Sequence, residues 1–159
     1  MGLEMHKQKL EQINSEAQEL QNEAQESISE AGDASSVIEG LEVVDEETQS
    51  AIDQAEQACS EIAQSKATEE ILDPFNELSD DALETADEAS EEGETERGNA
   101  TELGNISGEY AEGISGSQET LESRAEEYEQ ESEQAKELSE RAKEIGEQSV
   151  EELTSAFDG

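Results

Sequence analysis

The chain has 159 residues and carries 46 acidic against 8 basic side chains, a formal net charge of −38 at pH 7. Only 31% of residues are hydrophobic and 3% aromatic, with no tryptophan. That leaves little material for a wide globular core or for the apolar cleft that separates the pKa values of catalytic carboxylates. A basic nucleic-acid interface is excluded as well, because no face could offset the repulsion from phosphates.

Glu, Gln, Ala and Leu dominate together with Ser, and the first four are good helix formers. β-Branched and aromatic residues never alternate over the length of a strand. The composition therefore predicts an all-α fold: an elongated antiparallel helical hairpin, or a three- to four-helix bundle with coiled-coil-like heptad seams.

Residues 1–72 read as one long N-terminal helix with weak points near 32–33 and 40, where Gly32-Asp33 and Gly40 fall. From Leu10, steps of three and four land on Ile13, Ala17, Leu20, Ala24, Ser27, Ala31, Ala34, Ile38 and Leu41. The same register runs on through Asp45 and Thr48 to Ile52, Ala55, Cys59 and Ile62. Val37, Val44, Ala51 and Ala58 widen the stripe on one flank. His6 precedes the register and reads as a solvated side chain near a frayed terminus. Cys59, the single cysteine, reads as a small core residue; an intermolecular disulfide is the sharper alternative.

Asp73-Pro74 is the sharpest punctuation, since proline disfavours the helical conformation in the residue before it and suits the first turn of a new helix. Asp73 reads as an N-cap and Pro74 as the first residue of a connecting helix over 73–90. Residues 91–99, with Gly93, Gly98 and no apolar side chain, read as an acidic loop. Residues 100–159 read as a long C-terminal helix whose glycine-rich start is either an irregular connector or, the favoured reading, a helix in which Gly104, Gly108, Gly113 and Gly116 let another helix approach closely. From Leu121 the period is plain: Ala125, Tyr128, Ser132, Ala135, Leu138, Ala142, Ile145, Ser149, Leu153 and Phe157. The interaction seam is thus assigned to Leu10, Ile13, Leu20, Ile38, Leu41, Ile52, Ile62, Leu121, Tyr128, Leu138, Ile145 and Leu153.

Like charges recur at i,i+4, among them Glu122–Glu126, Glu129–Glu133 and Glu140–Glu144. Each such pair opposes the helix by roughly 0.2–0.5 kcal/mol at low salt. The penalty fades as the Debye length shrinks to about 3 Å near 1 M salt. Such a surface resembles the proteome-wide pattern of haloarchaeal and other salt-in proteins, although five of the eight basic residues are Lys where Arg is expected. The sequence has no apolar signal region and no transmembrane stretch, which predicts a cytoplasmic protein. No constellation of nucleophile, base or metal ligands is present, so no enzyme activity, cofactor or metal is expected, only diffuse cations at the acidic surface.

The Ala/Ser/Glu/Gln heptads resemble the coiled-coil hairpins of chemoreceptor cytoplasmic domains, without a segment that reads as their hairpin tip. Paired long helices are also similar to the helical substrates and chaperones of type VII secretion. The Trp-x-Gly turn of that group is missing, and neither Tyr110 nor Tyr128 is followed four residues on by Asp or Glu. Three functions remain: a structural, assembly or adaptor protein that binds a protein partner or its own copies; an acidic nucleic-acid mimic that inhibits a DNA- or RNA-binding protein; and a type VII-like secretion substrate or adaptor. None involves direct nucleic-acid binding or membrane insertion.

Overall fold

A computed structural model describes residues 2–157 and is all-α, with no strand among them. Its elements are α1 (Leu3–Glu39), α2 (Glu46–Ser65), a π-helical segment (Lys66–Leu72), α3 (Asp73–Gly104) and α4 (Glu109–Ser155). Since α2, the π segment and α3 follow one another without a gap, the chain forms three long helical runs joined at residues 40–45 and 105–108.

The first run passes through Gly32-Asp33 unbroken and stops at Gly40, whose N–H donates to the Ser36 and Val37 carbonyls. The next helix starts at Asp45, in extended backbone, with its carboxylate accepting both the Thr48 N–H and the Thr48 hydroxyl at 2.9 Å. These two bonds favour the ionised form and hold the Asp45 carboxyl below its ordinary range. At the other turn Gly108 takes φ +77°, a conformation open to glycine at no steric cost.

Three expected boundaries are corrected, the first being the helix expected over 100–159: residues 100–104 end α3, 105–108 form a turn, and α4 starts only at Glu109. Asp73-Pro74 does not start a helix: Asp73 has right-handed helical angles, φ −61° and ψ −47°, and its N–H reaches back to the Thr68 carbonyl. A proline inside an α-helix collides with the carbonyl four residues earlier, here Glu70. The wider π turn directly before Pro74 relieves that collision while leaving the helix continuous. The segment 91–99 is not a loop either, for α3 runs through it to Gly104. Its seam is made of small residues, Gly93 and Ala100, which an apolar pattern search passes over.

The π segment also shifts the register. Steps of three and four carry the stripe from Cys59 to Ile62, yet Ile62 is 56% exposed and Ala63 is buried. The buried positions run Ala63, Ala67, Ile71 and Phe75, successive four-residue steps that a plain α-helix would rotate off its face.

Two compact units divide the chain. The first comprises the α1 residues through Asn14 with Asp80–Glu140. There Leu3 packs with Ala89 and Tyr128, while Leu10 packs with Ala86 and Ala135. Residue numbers rise together along α1 and α4 and fall along α3, so α3 runs antiparallel to the other two. The second unit comprises Ser15–Ser79 and α4 from Arg141 onward. Its core joins Ala24, Ala31, Ala63, Ala67, Ile71, Phe75, Ala142 and Leu153. Phe75 is fully buried, and burial of such a side chain stabilises by roughly 1.5–3 kcal/mol. Alanine fills most other seam positions and brings the helices close at little buried area per residue.

Candidate functional site

The heptad stripe found in the sequence is the interior of this bundle. Leu10, Ile13, Tyr128 and Leu153 are buried. Leu20, Ile38, Ile52, Leu121, Leu138 and Ile145 are half-buried, and only Leu41 and Ile62 of the assigned seam are exposed. Most of the seam is therefore occupied by the chain's own helices. The flank expected to widen it faces out: Val37 is 67% and Val44 80% exposed, and Ala51 and Ala58 are exposed as well.

The glycines assigned to close packing are corrected in the same way. A Cβ added at Gly108, Gly113 or Gly116 meets nothing within 4 Å, and at Gly104 it meets only the flexible amide end of Gln118. The close approaches lie at Gly93, where a Cβ would stand 3.1 Å from the Tyr128 Cβ, and at Gly146, 3.0 Å from the Phe75 Cβ. A glycine against an aromatic across the seam is the feature that matters, and glycine density alone does not reveal it.

In the first unit a polar cluster holds the three helices in register. His6 is not solvated: it is 1% exposed, and its Nε2 lies 2.9 Å from Glu92 Oε2, the distance at which a ring N–H donates to the carboxylate. Its ring meets Tyr128 edge-on, with centroids 5.9 Å apart and planes at 78°. Arg124 lies over the same tyrosine ring, Cζ 5.9 Å from the centroid, and its Nε donates to Glu96 at 3.3 Å. Burial, and then the negative charge of Glu92, push the Tyr128 hydroxyl above its ordinary pKa, so the phenol stays neutral here. A signal was present in the sequence, since extending the Leu10 register back by four and three residues lands on His6 and Leu3. Chemically the cluster is a hydrogen-bonded lock between helices. Among the described residues no group of three or more His, Cys, Asp or Glu side chains is placed to hold a metal ion. No described helix is long and apolar enough to cross a membrane.

The second unit carries the concentrated apolar exposure. Val37, Leu41 (49%), Val43 (53%) and Val44 are all open around the α1–α2 turn, bordered by Glu39, Glu42, Asp45 and Glu46. Nearby, α1, α2 and the end of α4 enclose an apolar recess of about 210 Å³, lined by Ala31, Ala34, Cys59, Ile62, Leu153 and Phe157 among others. A second recess of about 170 Å³ shares Phe157 and is lined by Ile38, Glu39 and Glu56. Cys59 is half-buried, and its side chain borders the apolar recess.

No protein family, curated protein or solved structure matches the chain. The class that stands on its own geometry is an all-α helical bundle with a strongly acidic surface.

Proposed function

We propose that the chain is a non-enzymatic adaptor or assembly protein that binds another protein through helix faces its own bundle leaves uncovered, in a salt-rich cytoplasm. The observation that carries this reading is the apolar exposure at the α1–α2 turn, with Val37, Leu41, Val43 and Val44 open within eight consecutive residues. Single exposed apolar side chains are ordinary, whereas a cluster on a surface otherwise rich in carboxylates marks an interaction site. What supports salt adaptation is the excess of 46 acidic over 8 basic side chains. The inter-helix ion pairs Lys66–Glu30 at 3.6 Å and Arg97–Glu129 at 3.1 Å are both solvent-exposed and each contributes about 0–1 kcal/mol.

The test is affinity capture from the native host at matched salt, comparing the wild-type chain with Val43→Ser/Val44→Ser. Both positions are exposed, so the variant keeps its helical circular dichroism. The expected outcome is a defined partner retained by the wild type and lost by the variant. Capture unmoved by the variant but abolished by added salt would overturn the reading in favour of charge mimicry.

A further inference from the structure

We propose that the paired recesses at the end of α4 form one docking site for a cationic amphipathic helix, a partner chemistry that presupposes the protein-binding role above. The apolar recess, about 210 Å³, exceeds the roughly 150 Å³ apolar cavities known to take up benzene, so it has room for one large aliphatic or aromatic side chain. Its lining includes the small residues Ala31, Ala34 and Cys59 beside the larger Leu153 and Phe157. On its rim Ile62 is 56% exposed. Apolar area at such a rim gains only when a partner covers it.

Charge names the occupant. Phe157 lines both recesses, and the second one presents Glu39 and Glu56, each exposed. Around the first, Glu30 is 63% exposed and Lys66 lies 3.6 Å from it. Against the cation of Lys66, the lining of the two recesses presents Glu30, Glu39 and Glu56, so an acidic helix meets net repulsion, and a second copy of this chain brings a further net charge of −38. A helix that presents a Leu or Phe anchor with Lys or Arg one turn away satisfies both recesses together, in the helix-in-groove manner. The anchor supplies the affinity and the cations supply the selection.

Cys59, the single cysteine, is a reporter built into the recess. The experiment measures its modification by a thiol reagent in the full chain, with and without model peptides of about three heptads. One peptide has Leu at the seam positions and Lys beside them, one is its scramble, and one carries Glu for Lys. The Leu/Lys heptad peptide is expected to slow modification, and Ala34→Leu, which fills the recess, to weaken that peptide's binding about tenfold or more. The Glu peptide does not bind at low salt. Adding salt narrows the difference between the Lys and Glu peptides while the Ala34→Leu effect persists. Ile62→Ser, on the exposed rim, carries the same expectation should Ala34→Leu reduce helicity.

Equal protection by the scrambled peptide, or unchanged binding by both variants, would overturn the proposal. So would protection by a fatty acid and by no peptide, which would make the recess a lipid site. If these arms fail while capture still depends on Val43 and Val44, only the cationic partner falls; if both fail, the protein-binding role falls with it.

Discussion

Gly146 and Gly32 are chemically identical and structurally opposite. At Gly146 the Phe75 ring occupies the space a methyl group needs, with Cβ, Cγ and Cδ2 all within 3.0–3.4 Å of the added atom. At Gly32, inside α1, nothing lies within 4 Å. Gly146→Ala is expected to lower stability by about 1–3 kcal/mol through overpacking against a fully buried aromatic. Gly32→Ala is expected to raise it by roughly 0.5–1 kcal/mol, because glycine loses more backbone entropy in a helix. Urea unfolding of the two variants decides the matter, and a shared sign would contradict the packing described. His6 and Tyr128 teach the same lesson. Residue type sends a lone histidine to solvent, whereas its place in the heptad register sends it inside, against Glu92. The contact partner decides, and a one-dimensional pattern holds no contact partner.

At the scale of elements, the helix-forming composition and the three-four period were enough to read the helical stripe of α1 and of α4 from Leu121 onward. They did not reveal the turn at 40–45, through which the period continues by way of Asp45, nor the turn at 105–108. Every heptad position from Leu121 to Phe157 is at least half-buried. The middle run was not legible in that way, because two local signals point against its continuity. Pro74 reads as a helix start, and the π turn before it converts a collision into a smooth passage. Gly93 and Gly98 read as a linker, and one of them is a seam residue pressed against Tyr128. The register shift is directly testable. Ile71 is 2% exposed and Ile62 is 56% exposed, although the plain heptad favours Ile62 as the core residue. Ile71→Ala is expected to cost about 2–5 kcal/mol. Ile62→Ala is expected to change stability within about 0.5 kcal/mol, as surface substitutions do. Chemical denaturation of the pair that gave the reverse order would place the π segment elsewhere.

The whole molecule is governed by its charge. With 46 acidic and 8 basic residues, most carboxylates face water without a cationic neighbour, and the bundle works against its own repulsion at low ionic strength. Helical circular dichroism is expected to rise between low salt and molar KCl as screening shortens the reach of each charge. A flat response would remove salt adaptation as the reason for the acidity. The bundle also closes most of its heptad stripe on itself, leaving open the stretch at Leu41 and the recess lined by Ala34, Cys59 and Ile62. The α1–α2 turn and the recesses beside Phe157 are the surfaces proposed for a partner, while Ile106 and Tyr110 form a further exposed apolar pair at the α3–α4 turn.

Site-specific photo-crosslinking in the native host at matched salt tests that assignment most directly. A photoreactive residue at Val44, 80% exposed, is expected to yield a discrete protein adduct, while one at the exposed Glu126 of α4 yields none. No adduct at Val44, or the same adducts at both positions, would contradict it.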